Sequence, residues 1–224
     1  MFTFPTSHFA SDINLRKGML HYWELDEASG TTAVDTMGNS NGTHTSVSVN
    51  ETPKTGSASC GYVSGRYTTI GTDSFVAGLA NITISAWVKQ TNLTGTQGIT
   101  GAWLASGNNK FILRTATTQL QFYTTTTSGQ VGGNITAAPT AGSWYHVIAE
   151  YDGSNMRLFV NGSQAGTTPA QTGSIQSTTG SDFYIGRATS VSLTGNLDQV
   201  CIWNRVLTSD EKAIVYNSGT GRVL

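Results

Sequence analysis

The sequence predicts an all-β fold, a sandwich of two antiparallel sheets carrying one short C-terminal helix. Short runs rich in β-branched and aromatic residues recur along the chain, and turn residues separate nearly all of them. A helix-start signal stands near the C-terminus. The 224 residues include 26 Gly and only 4 Pro, and charged residues make up 11% of the chain, against about a quarter in ordinary globular domains. That balance suits many short strands joined by turns, and the length suits one sandwich core.

The strand-like runs are LHYWEL from Leu20, then THTSVSV, RYTTI, ITISAWV, FILRT, QLQFYT, WYHVIAEY, MRLFV, DFYIG and LDQVCIW. Asp152-Gly153 and Asn161-Gly162 each sit between two alternating apolar runs, the strongest short-range hairpin signal, so WYHVIAEY, MRLFV and the segment after Gly162 form a meander. In ITISAWV, residues Ile82, Ile84, Ala86 and Val88 share one face and Thr83, Ser85 and Trp87 the other, as in a half-buried antiparallel strand. About ten such strands imply two stacked sheets. The helix begins at Thr208, which caps it while Glu211 reaches back in a capping box. Ile214 and Val215 give its apolar side, and Asn217-Ser218-Gly219 ends it with the glycine that a left-handed position favours.

Residues 1–18 precede this pattern and read as an extended arm, leaving 19–224 as the sandwich domain. Phe2, Phe4 and Phe9 in the arm show no periodicity and need a partner. Either they pack back on their own domain or they dock on another subunit.

Twelve basic and 13 acidic residues are scattered without runs, for a net charge of −1. No electrostatic footprint for nucleic acid is present. The N-terminus lacks a basic segment followed by an apolar run, and no stretch of eighteen apolar residues occurs, so neither a cleaved secretion signal nor membrane insertion is expected. Cys60 and Cys201 show neither a Cys-x-x-Cys pair nor a His at metal spacing, so zinc is not expected. Neighbouring strands would make a disulfide between them feasible, but two buried thiols suit the apolar contexts better.

Three segments, YWELDEASGTTAVDTMGNSNGT, WYHVIAEYDGSNMRLFVNG and GNLDQVCIWNRVLTSDEKAIVYNSG, together resemble the laminin-G-like jelly-roll domains of the concanavalin A-like lectin superfamily. The likeness spans about residues 19–219. It implies a jelly-roll β-sandwich, and it implies a structural calcium held between the early Asp/Gly/Asn-rich loop and the last strand. The matching positions are Asp35, Asn39, Asn41 and Thr43 in the loop and Asp198 on the last strand. With only two carboxylates among them, such a site leans on backbone oxygens to reach the six to eight ligands calcium takes. Asp35 and Asn41 also read simply as turn formers.

The superfamily includes glycoside hydrolases, so paired carboxylates are the test. Glu24 and Asp26 lie two apart but lead straight into a loop, and Asp152 is taken by its turn, leaving Glu150 alone. His8, His21, His44 and His146 are isolated from nucleophile or metal motifs. The expectation is a non-enzyme. A sugar-binding module would use aromatic rings as platforms beside amides and hydroxyls. Trp103, Tyr123 and Arg114 are the candidates, because they fall in the middle stretch that varies within such domains, whereas Trp23, Trp87, Trp144 and Trp203 lie in strand patterns that suggest burial.

The function expected is therefore non-catalytic surface binding. The resemblance includes phage-borne members, which suggests a decoration protein on a virus particle, docked on other structural proteins through its arm and adhering to surface glycans. A free carbohydrate-binding lectin, and then a glycoside hydrolase, are the alternatives. The location expected is a virion surface or the extracellular space.

Overall fold

The computed structural model describes residues 15–103, 109–137, 139–177, 180 and 182–224. Its strands are β1 (Met19–Trp23), β2 (Thr32–Ala33), β3 (Gly42–Thr45), β4 (Ser48–Glu51), β5 (Ser59–Tyr62), β6 (Tyr67–Thr72), β7 (Ile82–Gln90), β8 (Thr96–Ala102) and β9 (Phe111–Ala116). Then come β10 (Gln119–Thr126), β11 (Gly129–Ala137), β12 (Tyr145–Tyr151), β13 (Met156–Val160), β14 (Ser163–Ala165), β15 (Asp182–Ile185), β16 (Arg187–Ala188), β17 (Val191–Ser192) and β18 (Gly195–Trp203), followed by helix α1 (Ser209–Tyr216).

Two eight-stranded sheets stack face to face. Sheet A runs β14-β13-β12-β7-β18-β5-β4, with β1 also paired to β18; sheet B runs β11-β10-β9-β8-β15-β6-β3-β2. The first and last strands pair antiparallel, Tyr22 opposite Cys201. Between the sheets lies the main core, with Trp23, Ile84, Val88, Leu113, Phe122 and Phe183 fully buried. This is the jelly-roll sandwich that the strand pattern predicts. No described helix is long and apolar enough to cross a membrane.

The predicted meander is present, β12 pairing with β13 and β13 with β14. At its second turn Asn161 and Gly162 have φ of 49° and 79°, the left-handed pair that matches strand twist in a two-residue hairpin. A Cβ on Gly162 would stand 2.7 Å from the Tyr216 ring, so the turn also needs glycine to let α1 approach.

The capping box at α1 forms as predicted: Thr208 Oγ1 accepts the Glu211 amide at 3.2 Å, and Glu211 Oε2 accepts the Thr208 amide at 2.8 Å. The end of the helix differs from expectation. Asn217, not Gly219, takes the left-handed cap position, at φ 48° and ψ 52°, because Asn tolerates that conformation well.

Strand β7 differs too. Both of its faces are buried, not one. A second apolar layer, Leu15, Met19, Tyr22, Cys201, Trp203, Leu207 and Val215, lies on the outer side of sheet A. Thr83 Oγ1 donates to the Arg205 carbonyl at 2.7 Å, and Ser85 Oγ lies 2.8 Å from His146 Nε2. These bonds let polar residues be buried under that layer at little cost. Leu15 and Arg16 are helical, not extended, and Leu15 is buried, its carbonyl accepting Trp203 Nε1 at 2.7 Å. The end of the expected arm is thus part of the folded domain. Phe2, Phe4 and Phe9 lie outside the described residues.

Candidate functional site

Sheet B turns one face to the core and the other outward. On β9, Phe111 and Leu113 point in, which puts Ile112 and Arg114 outward; on β10, Leu120 and Phe122 point in, which puts Gln121, Tyr123 and Thr125 outward. The register sets Tyr123 opposite Ile112, and Arg114 opposite Gln121. Trp103 follows Ala102 at the end of β8 and stands 6.2 Å from Tyr123, ring to ring, at 62°. The Arg114 guanidinium lies 5.1 Å over the Tyr123 ring, within cation–π range. Arg114 Nε donates to Gln121 Oε1 at 2.9 Å.

The three residues selected from sequence as sugar contacts are therefore brought together on one patch, and all three are partly exposed. Beside them, Thr125 Oγ1 is buried without a hydrogen-bond partner among the described residues, as is Asn109 Oδ1 just before β9. Such orphaned atoms are uncommon in native structures and call for a polar partner.

A second aromatic and arginine cluster escaped the sequence reading. Tyr67 on β6 and Tyr184 on β15 meet edge to face at 5.5 Å. Arg187 sits 4.5 Å over the first ring and 5.0 Å over the second. It belongs to the β16–β17 hairpin, which packs its Ala188 against Gly98 of β8. One register row joins the two clusters: Tyr184 is opposite Gly101, Gly101 opposite Ile112, and Ile112 opposite Tyr123. The signal available was alternation: in DFYIG Tyr184 stands between the inward Phe183 and Ile185, and in RYTTI Tyr67 precedes the alternating inward Thr68 and Ile70.

The residues selected for calcium divide. Asp35 is buried and accepts five donors: the amides of Tyr22, Met37, Asn39 and Ser40 at 2.9, 3.0, 3.1 and 2.9 Å, and His21 Nδ1 at 2.8 Å. A carboxylate has about four lone-pair sites, so the loop itself fills Asp35. Burial pushes its carboxyl up, but the Tyr22 amide, His21 and the Ser40 and Met37 amides outweigh burial and hold it below the usual range. Asn41 Oδ1 accepts the Asp35 amide at 2.9 Å, and Asn39 Nδ2 donates to the Leu20 carbonyl at 2.7 Å. Thr43 is exposed on sheet B. Asp198 is on sheet A, opposite Trp87, and its Oδ2 accepts the Lys54 and Thr55 amides at 2.8 and 3.1 Å. Asp35, Asn39 and Asn41 are thus brought together in one loop, but with five donors already on the Asp35 carboxylate the loop as arranged leaves that group no open oxygen for a calcium ion.

Three of the carboxylates considered for catalysis, Asp26, Glu150 and Asp152, have structural partners. Asp26 accepts the Ser57 and Ala58 amides at 3.1 and 3.0 Å, and Glu150 holds Lys212 at 2.8 Å. Asp152 accepts the Ser154 and Asn155 amides and Arg157. Glu24, Asp26 and Glu27 line a cleft of about 360 Å³ with Val34 and Thr36. Cys60 and Cys201 are free and buried, and burial pushes both thiols well up. Of the four expected core tryptophans, Trp23, Trp87 and Trp203 are buried and Trp144 is half-buried.

Residues 62–211 match the family model of the concanavalin A-like lectin/glucanase superfamily. No curated protein matches the sequence. Among solved structures, the chain is similar to Trypanosoma rangeli sialidase in complex with sialic acid (TM-score 0.68, 17% identity, 92% of this chain and 34% of that one). It is similar also to domain 4 of an extracellular arabinanase from Geobacillus stearothermophilus in complex with arabinotriose (TM-score 0.68, 15% identity, 91% and 98%). A third is the receptor-binding domain of botulinum neurotoxin C/D mosaic serotype (TM-score 0.71, 14% identity, 90% and 51%). The chain thus spans about a third of the sialidase, half of the toxin domain and nearly all of the arabinanase domain. At these identities the likeness is one of fold.

Proposed function

Since the chain belongs to the concanavalin A-like lectin/glucanase superfamily, we propose that it is a non-catalytic glycan-binding protein whose contact face is the outer side of sheet B around Trp103, Tyr123 and Arg114. The observation that carries this reading is their convergence: two rings 6.2 Å apart and a guanidinium 5.1 Å over one of them. Aromatic faces bury the apolar side of a sugar, and a guanidinium donates to its hydroxyls or to a carboxylate. That the sialidase and the arabinanase domain were each observed with a sugar supports saccharides as the ligand class.

The non-catalytic part rests on the carboxylates. Hydrolysis of a glycosidic bond needs two of them free to face one bond, about 5 to 10 Å apart. Asp26, Asp35, Glu150 and Asp152 are each engaged by amides or cations. The cleft lined by Glu24, Asp26 and Glu27 is the place where a hydrolase would have to work. Attachment to a phage particle through Phe2, Phe4 and Phe9 is a companion proposal that depends on residues outside the described ones, as does a virion or extracellular location.

A glycan array probed with the full chain, followed by an assay for reducing ends on every glycan bound, tests the proposal. Binding without cleavage supports it. No glycan bound, or reducing ends released, overturns it.

A further inference from the structure

Glu27, His44 and Cys60 come from three different segments and meet between the two sheets. Glu27 lies in the loop after β1, His44 points inward from β3 of sheet B, and Cys60 points inward from β5 of sheet A. Their donor atoms form a nearly equilateral triangle: Cys60 Sγ to His44 Nε2 is 3.8 Å, Cys60 Sγ to Glu27 Oε2 is 3.9 Å, and His44 Nε2 to Glu27 Oε2 is 3.8 Å. At 3.8 to 3.9 Å these contacts are too long for ordinary N–O hydrogen bonds and weak for sulfur ones. The centre of the triangle lies about 2.2 Å from each atom, the mean edge of 3.8 Å divided by √3. That matches zinc bond lengths of about 2.3 Å to sulfur, 2.0–2.1 Å to nitrogen and 2.0–2.2 Å to oxygen.

The surroundings suit a metal. His44 Nδ1 lies 2.8 Å from Thr68 Oγ1, which in turn lies 3.1 Å from the Tyr62 hydroxyl. This second layer turns Nε2 toward the other two ligands, as the outer partners of metal-bound histidines do. Glu27 Oε1 accepts the Val34 amide at 2.8 Å, which leaves Oε2 for the centre. Leu25, fully buried with a φ of 62°, holds the preceding turn in a conformation that non-glycine residues rarely adopt. Of the three, Glu27 also lines the acidic cleft with Glu24 and Asp26, the side from which an ion would enter.

We propose that Glu27, His44 and Cys60 form a zinc site that clips sheet A to sheet B. The mixed sulfur, nitrogen and oxygen set selects zinc over calcium or magnesium, which take oxygen alone. The centre of the triangle is a trigonal position, so the three donors draw in by about 0.3 Å and a water on the side of the cleft takes the fourth, tetrahedral place. On binding, the Cys60 S–H bond breaks, the sulfur bonds to the metal as thiolate, and one proton passes to solvent. Thiolate and carboxylate together balance the two charges of the ion. Cysteine spacing along the sequence gives no hint of this site, because the ligands lie 16 and 17 residues apart, at positions 27, 44 and 60, and only sheet stacking joins them.

The test uses the full chain, stripped with a chelator and titrated with cobalt(II) and with zinc. The expected result is one equivalent bound, with a thiolate-to-cobalt charge-transfer band in the near ultraviolet, and an affinity that rises about tenfold per pH unit as one proton is released. The band persists in Cys201→Ser and is lost in Cys60→Ser. A folded chain that binds no stoichiometric cobalt, or a band that survives Cys60→Ser, overturns the proposal. Should Cys60→Ser not fold, Glu27→Gln carries the decision. Zinc affinity falls at least about 10-fold if the site is real, and unchanged affinity overturns it. Glycan binding on the outer face of sheet B does not depend on this result.

Discussion

The Lys212 ammonium of α1 lies 2.8 Å from Glu150 Oε1 of β12 and 4.3 Å over the Phe159 ring of β13. The pair is largely buried, with side chains 14% and 1% exposed, and Glu150 Oε2 has no hydrogen-bond partner among the described residues. Burial pushes the Glu150 carboxyl up, and Lys212 opposes it. Removing the cation alone leaves a buried carboxylate unpaired, which costs about 3–5 kcal/mol. Lys212→Met is therefore expected to lower the urea midpoint strongly, and Lys212→Met with Glu150→Leu to recover much of the loss. A loss below about 1 kcal/mol in the single variant, the size of an exposed pair, would show that the contact does not anchor the helix.

Asp198 makes stability fall as pH rises. Burial pushes its carboxyl from 3.8 up to about 7, the Thr55 and Lys54 amides offset part of that, and Asp26 adds to it. The folded chain keeps the proton between those values while the unfolded chain releases it. The stabilisation is full below pH 3.8 and is lost as pH passes about 7, on the order of 4 kcal/mol at most. Asp198→Asn is expected to flatten this limb and to melt above the wild type at pH 8. Parallel melting curves from pH 4 to 8 would exclude the effect.

His146 acts in the opposite direction. Burial holds its imidazole down to about 3 from an ordinary 6.5. Below pH 6.5 the unfolded chain takes up a proton that the folded chain refuses, so this contribution is present above 6.5 and lost as pH falls toward 3. The acid-unfolding midpoint should move down in His146→Gln once its neutral-pH stability is subtracted. Ser85 Oγ, 2.8 Å from the ring, keeps a partner in that variant.

Asp35 organises the loop after β1 by taking five donors. Asp35→Ala strands them and is expected to cost about 3 kcal/mol. Added calcium should raise the melting temperature of neither protein. A calcium-dependent rise in the wild type that Asp35→Ala abolishes would restore the loop as a calcium site.

The sequence makes legible what local periodicity can carry. Asp152-Gly153 and Asn161-Gly162 announce the β12–β14 meander, and Thr208 with Glu211 announces α1. Trp103, Arg114 and Tyr123 could be chosen as residue types, but their meeting depends on β8, β9 and β10 lying side by side. Burial of both β7 faces was not legible: alternation records which residues share a face, not which segment later covers it. Here the cover comes from both ends of the chain, Leu15 on one side and Val215 on the other. The Glu27, His44 and Cys60 triangle was hidden for the same reason.

The most direct test of the central claim is the affinity of the wild type, Trp103→Ala and Tyr123→Ala for the strongest glycan found on the array, measured by calorimetric titration. Stacking of a ring on a sugar is worth about 0.5–1.5 kcal/mol, so each variant should bind several-fold to about tenfold more weakly, with its melting temperature little changed. Unchanged affinity in both variants would contradict the account and move the binding face away from the outer side of sheet B.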